Sequence, residues 1–254
     1  MVNIHQYKDM TTSELDKMGR ESTLFIFPVS LLEEHGNHLP LGVDIYVAEY
    51  MADRLAARIP EKFGFHNIVI LPALNMGVGG IPMTGTIESD YDTTVQVIFE
   101  YGRSLARSGF KYCLISNGHA GSRHLSALET VKTRLMNELQ FEMIPAGNRV
   151  TEMFFSGELL EEIIKRLPEH LSSMAVKYFS KDGHAGWWET SMMLLIKPEL
   201  VQDNFKELPY SEEIGKAGYK GYPAFADSGF AQITVDVILD YTIMHLEEYF
   251  LKIN

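Results

Sequence analysis

Residues 24–44 read LFIFPVSLLEEHGNHLPLGVD, and both the fold and the chemistry turn on this stretch. Its opening, 24–29 (LFIFPV), is an apolar run rich in aromatic and β-branched residues, the pattern of a strand buried on both faces. The remainder crowds Glu33, Glu34, His35 and His38 together and ends on Asp44, where a helical pattern begins. Gly36, Pro40 and Gly42 rule out a regular helix in between, so these side chains can converge from a folded loop. Carboxylates and imidazoles are the oxygen and nitrogen donors that Zn²⁺ and Mn²⁺ prefer.

Outward from this stretch, short apolar runs alternate with amphipathic periods. Strands are expected at 68–71 (IVIL), 112–115 (YCLI) and 141–144 (FEMI). Ala48, Met51, Leu55 and Ile59 recur at helical spacing, as do Val95, Ile98, Gly102 and Leu105 after Asp90, and Leu125, Leu128, Val131 and Leu135 after Ser122. Helices also fit 158–167, 187–196 and 235–250. Strand and helix in alternation predict a mostly parallel sheet with helices on both faces. The 254 residues suit one domain, 1–254, and neither a repeat nor a linker interrupts them. Glycine- and proline-rich loops at 75–85 and 219–229 serve either as pocket rims or as plain connectors.

Hydrophobic residues make up 46% and charged residues 22% of the chain, an ordinary globular balance. A net charge of −12 repels phosphate backbones and anionic lipid, which argues against nucleic acid and membrane as partners and in favour of cations. Cys113 is the single cysteine, so no intrachain disulfide can form; its apolar surroundings read as those of an inert buried thiol. The first residues lack the apolar core of a signal peptide, and no later stretch has the length of a membrane span. A cytoplasmic location is therefore expected.

Two more clusters stand at strand-to-helix junctions. Asn117-Gly118-His119-Ala120-Gly121-Ser122 follows the strand ending near Ser116, and Asp182-Gly183-His184-Ala185-Gly186-Trp187-Trp188-Glu189-Thr190-Ser191 leads into an apolar helix. Loops after the carboxyl ends of parallel strands share one edge of the sheet, so the first two clusters should face each other. Glu189 falls in the first helical turn, where it either complements the helix dipole or reaches back to the site. Other chemistries lack their signatures: there is no G-x-S-x-G elbow, P-loop or H-E-x-x-H, and Gly77-Val78-Gly79-Gly80 lacks the spacing of a dinucleotide fingerprint.

Together the three clusters resemble the creatininase family. Residues 33–44 match its E-x-H-G-x-H-L-P…D signature, 117–122 its N-G-H-G-G-N, and 184–191 its H-A-G-x-x-E-T-S. The resemblance implies a three-layer α/β/α sandwich, a homo-oligomer (a hexamer), and two divalent metal ions per subunit bridged by a carboxylate and a hydroxide. Zn²⁺ is the expected ion, with Mn²⁺ or Fe²⁺ as alternatives. By matching position Glu33, Asp44 and His119 would hold one ion, and His35 and Asp44 the other. Creatininase itself places a Glu where this chain has Gly121, which argues against creatinine as substrate. Glu189 is the natural replacement, and glycine at 121 should leave room for its reach; Glu34 is the rival.

The implied activity is hydrolysis of a C–N bond in a small-molecule amide, either cyclic or a formamide. A peptide-trimming hydrolase and a non-catalytic metal-stabilised scaffold are the alternatives. Nitrogen leaves poorly unless protonated, and His184 is the candidate general acid. His38 is expected to orient a ligand carboxylate. Trp187 and Trp188 either cover the pocket or pack the core.

Overall fold

The apolar run at 24–29 becomes the centre of the sheet. The computed structural model describes residues 2–251. Along the chain come β1 Asn3–Gln6, α1 Thr12–Asp16, β2 Thr23–Ser30, α2 Val43–Ala56, β3 Asn67–Ile70, β4 Leu74–Asn75, α3 Tyr91–Arg107, β5 Tyr112–Ser116, α4 Ser122–Leu139 and β6 Glu142–Pro145. They are succeeded by α5 Asn148–Ser156, α6 Leu160–Arg166, α7 Glu169–Tyr178, α8 Trp187–Ile196 and α9 Ser228–Phe250. The sheet runs β1-β3-β2-β5-β6 with every pair parallel, and β4 pairs with the end of β2.

All eight residues of β2 are buried, because helices cover both of its faces. Side chains alternate across the sheet. Leu24, Ile26, Ile68, Ile70, Leu114 and Ile144 pack with α2, α8 and α9. Phe25, Phe27, Val69, Cys113, Ile115 and Met143 pack with α3 and α4. The result is the expected three-layer sandwich. Cys113 is 0% exposed, and burial pushes its thiol pKa up, which suits an inert residue. Among the described residues no helix is long and apolar enough to cross a membrane.

Topology places the site. After β2 the chain crosses to β3 on one side; after β5 it crosses to β6 on the other. The loops leaving these two adjacent strands therefore diverge to opposite flanks and open a crevice at their carboxyl ends. Both donor-rich clusters lie there.

The four expected strands form within a residue or so of their predicted limits. The edge strand β1 has no counterpart in the pattern reading, since NIHQ is short and mostly exposed. Helix α9 starts at Ser228, inside the segment read as a loop. Asp227 caps it by accepting the Phe230 N–H at 2.9 Å, and Phe230, Ala231 and Thr234 are buried, which overrides Gly229.

Leu114 sits fully buried on β5, between β2 and β6. Leu114→Ala should destabilise the fold by about 2–5 kcal/mol. Urea unfolding should show a lower midpoint with an unchanged slope.

Candidate metal centre

The loops after β2 and β5 meet because residue 118 has no side chain. A Cβ on Gly118 would stand far inside contact distance of the Asp44 carbonyl oxygen, a backbone atom that cannot swing away. Asn117 holds the next residue: its Oδ1 accepts the His119 N–H at 2.9 Å, and its Nδ2 donates to the His119 carbonyl at 2.7 Å. His119 is thereby set against Glu33 and Asp44.

Glu33 accepts the Ile81 N–H through Oε1 at 2.5 Å, and its Oε2 lies 3.0 Å from His119 Nδ1. Asp44, in the first turn of α2, points one oxygen each way. Its Oδ2 is 3.2 Å from His119 Nδ1 and its Oδ1 is 3.3 Å from His35 Nε2. His35 Nδ1 donates to the Glu33 carbonyl at 3.0 Å, which aims Nε2 inward. Glu189, in the first turn of α8, brings Oε2 to 3.5 Å from that same Nε2. Three donor groupings result, each with its ligand atoms within 4.8 Å of one another: Glu33–Asp44–His119 and His35–Asp44–Glu189, which form the two triads joined by a carboxylate, and Glu33–His35–His184, which draws on both. Asp44 belongs to both triads.

Glu189 owes its position to a strained turn. Ala185 has φ +49, a left-handed conformation unusual for a residue with a Cβ. That conformation lets its N–H donate to Glu189 Oε2 at 2.5 Å. Its carbonyl accepts from His38 Nε2 at 3.0 Å. Asp182 fixes the far end of the turn by accepting the N–H groups of Trp187 at 2.7 Å and Trp188 at 2.9 Å. Burial pushes the Asp182 carboxyl up to about 7 against those hydrogen bonds.

The donor set fits cations. Glu33 and Asp44 are 1% exposed and His35 is 0% exposed. Among the described residues, Glu33 Oε2, His35 Nε2 and Asp44 Oδ2 are buried with no well-aligned hydrogen bond, although each faces an atom of opposite charge across the cluster. Burial lowers the His35 and His119 pKa values, but the carboxylates overcome it and carry them to about 9 and about 10. Asp44 is held well below the usual range, its own burial outweighed by the two imidazoles. Glu189 is raised by burial. Protons thus sit on the imidazoles where positive charge is required, and divalent ions bound by these atoms would meet the same requirement.

A sequence profile for the creatininase family, described as creatinine amidohydrolase, matches residues 8–239. The chain belongs to the creatininase family. The creatinine amidohydrolase of Pseudomonas putida is 27% identical over 202 residues, 76% of this chain and 72% of that protein. The mycofactocin precursor peptide peptidase of Mycobacterium tuberculosis is 29% identical over 119 residues, 45% of this chain and 47% of that protein, so the match spans about half of it. Among solved structures, a manganese creatininase superposes with a TM-score of 0.68 at 18% identity, covering 96% of this chain and 98% of that one; this likeness is one of fold.

Of the residues singled out in this creatininase-family sequence, Glu33, His35, Asp44, His119 and Glu189 come together, with His184 beside them. The His184 ring lies 4.3 Å from that of His35, and its Nε2 donates to the Glu34 carbonyl at 2.7 Å. Desolvation lowers the His184 pKa, but the Glu34 carboxylate prevails and raises it. Glu34 is 5% exposed rather than solvent-facing, accepting the Gly36 N–H at 3.1 Å, and it joins neither triad. His38 contacts no ligand carboxylate. It acts one step further out, on the Ala185 carbonyl and on Thr190 Oγ1 at 3.1 Å.

Trp187 is 0% exposed and stacks on Phe230 at 4.3 Å, so it packs the core and covers nothing. Trp188 donates through Nε1 to Thr234 Oγ1 at 3.0 Å, and with His119 and Asn117 it lines a small apolar cavity. Nor does Gly121 leave room for Glu189: a Cβ there would run into His119 Nε2, so the imidazole already fills that space. Asp182 stood in the third cluster without a role, and the Ile81 N–H and His124 escaped the sequence reading. Only Asp182 carried a signal, as a capping-type residue ahead of a glycine turn and a helix.

The left-handed turn makes a distinct demand on position 185. Ala185→Gly should keep stability within about 1 kcal/mol, since glycine adopts that conformation readily. Ala185→Val should lose more than about 2 kcal/mol and release Glu189. Denaturant unfolding of the metal-free protein compares the two; equal stability of both variants would show the turn to be unstrained.

Proposed function

We propose that this creatininase-family chain is a metal-dependent hydrolase of an amide C–N bond in a small molecule, cyclic or a formamide. The observation that carries this reading is the pair of donor triads sharing Asp44. Glu33, Asp44 and His119 would hold one divalent ion, and His35, Asp44 and Glu189 the other. The name of the P. putida relative supports an amide as substrate, and the imidazoles favour Zn²⁺, with Mn²⁺ or Fe²⁺ also compatible. Bound cations would supply Lewis acidity, acidifying a water and polarising the scissile carbonyl.

The protein's own groups do the rest. Asp44, with one oxygen toward each triad, keeps the two centres adjacent. The hydrogen bond from His35 Nδ1 to the Glu33 carbonyl assigns that ring's tautomer and leaves Nε2 as its donor atom. His184 gives its Nε2 proton to the Glu34 carbonyl, so Nδ1 is the nitrogen that exchanges a proton with the leaving nitrogen. Against its burial, the Glu34 carboxylate raises the His184 pKa and so favours the protonated ring. Gly80 lets the loop that offers the Ile81 N–H to Glu33 pack tightly, since a Cβ there would lie 2.8 Å from Leu31 Cδ1 and 2.9 Å from Thr86 Cγ2.

A second reading, trimming of a peptide, has one observation in its favour, the partial match to the mycofactocin precursor peptidase. Hydrolysis measured across cyclic amides, formamides and short peptides separates the two. Creatinine itself should not be turned over well, because position 121 lacks the carboxylate that creatininase carries there. Turnover of all substrate classes by protein proven metal-free would sink the proposal.

Metal content provides the next test. Asp44→Asn should deplete both ions, whereas His35→Ala should deplete mainly one. Uptake should also depend on pH. Protons occupy His35 and His119 up to about 9 and about 10 in the metal-free fold, against an ordinary 6.5. Apparent affinity should therefore climb as pH rises from 6.5 toward 10, with protons released on binding. The sign is opposite for metal-free stability: the contribution of these raised groups is complete below pH 6.5 and is lost as pH passes through 9 to 10. Calorimetric titration in buffers of different ionisation enthalpy reads the proton release directly; a pH-independent affinity would contradict it.

A further inference from the structure

His124 takes no part in the function proposed above, yet its place is closely built. It lies in the first turn of α4, is 0% exposed, and meets the His119 ring edge-on at 5.6 Å between centroids. Neither of its ring nitrogens has a hydrogen-bond partner among the described residues, and His119 Nε2 has none either. Gly77 keeps the space open, since a Cβ there would lie 2.9 Å from His124 Nδ1. The ring is fully buried with no hydrogen-bonded carboxylate, and a neutral imidazole has one nitrogen free to accept.

His119 turns Nδ1 toward Glu33 and Asp44. When Nδ1 serves a cation, the ring proton must sit on Nε2, and a ligating imidazole almost always gives that N–H to an acceptor. Two hydrogen-bonded imidazoles have ring centres roughly 5 Å apart, from an N···N contact near 3 Å plus the two ring radii. The observed 5.6 Å is slightly longer than that spacing. A purely packing role would suit an aliphatic side chain better than one with two unsatisfied nitrogens.

We propose that His124 is the hydrogen-bond acceptor for His119 Nε2–H, a positioning residue that sets the tautomer and orientation of the imidazole in the Glu33–Asp44–His119 site. This assignment rests on reading those three residues as metal ligands. It adds that the His119 imidazole is tuned from behind by a histidine in direct ring contact with it, whereas His38 reaches the other site only through the Ala185 backbone.

The test uses the full chain stripped of metal and titrated with Co²⁺, whose visible bands report the ligand field. Wild type is compared with His124→Leu and His124→Gln. The Leu variant should bind one equivalent about 10–100-fold more weakly, with shifted bands, and leave the other equivalent unchanged. The Gln variant, which offers a carbonyl oxygen as acceptor, should recover most of the loss. Wild-type affinity and spectrum in the Leu variant, or equal loss in Leu and Gln, would overturn the assignment. Should the Leu variant fail to fold, long-range ¹H–¹⁵N correlation on zinc-loaded wild type decides instead. The expected pattern is a proton on His119 Nε2 and a neutral His124 with one nitrogen shifted as an acceptor; a doubly protonated His124 overturns it. No Co²⁺ uptake by wild type would bring down the metal-site reading and this assignment with it. Normal uptake with unaffected variants brings down the assignment alone.

Discussion

The backbone at Gly118 passes so close to the Asp44 carbonyl that no side chain fits between them. Everything at the site depends on that approach. It joins the loop after β5 to the start of α2, and it puts His119 within 3.2 Å of a carboxylate whose other oxygen faces His35. Two parallel strands supply the directions, because their crossovers leave to opposite flanks. The glycine supplies the last few ångströms. A scaffold of this kind needs no flexible reach from Glu33, Asp44 or His119, each of which leaves a strand end or enters a helix.

The electrostatic problem this creates explains the rest of the architecture. Three carboxylates and two imidazoles are drawn out of water together, and burial of that kind is tolerable only with compensating charge. In the metal-free fold, protons on His35 and His119 provide it. On the proposed assignment a pair of divalent ions does so more fully and leaves the site with an excess of positive charge. An anionic nucleophile or a developing oxyanion would find that excess favourable. His38 stays out of this balance: burial lowers its pKa to about 4, so its grip on the Ala185 carbonyl is that of a neutral ring.

Much of this was legible in the amino-acid sequence, and the parts that were not have a common cause. Strands such as 24–29 and 112–115 are readable because burial on both faces forces an apolar run. The edge strand Asn3–Gln6 is unreadable because pairing on one side alone imposes no such pattern. Glu33, His35, Asp44 and His119 were legible as residue types at strand-to-helix junctions, and their convergence is a consequence of parallel-sheet topology; the cluster with His184 and Glu189, expected at such a junction too, instead links α7 to α8 and follows no strand. What the sequence could not disclose is contact across the chain. Trp187 beside Glu189 looked available to a pocket, but its ring is committed to Phe230 in α9. Glu34 stood as the rival ligand, but it is engaged by His184 and the Gly36 N–H instead. His124 carried no signal at all, since a single histidine in a helical repeat is indistinguishable from a surface residue.

The crowding of Gly121 against His119 also bears on how such a site can change over generations. A carboxylate cannot simply be added at 121, because any side chain there would meet the His119 imidazole at once. On the proposed assignment Glu189 supplies a donor while His119 fills the space beside Gly121. A single substitution at 121 would therefore disturb the neighbouring triad, and a working change would have to move the ring and add the carboxylate together. Packing thus sets a barrier between the two arrangements.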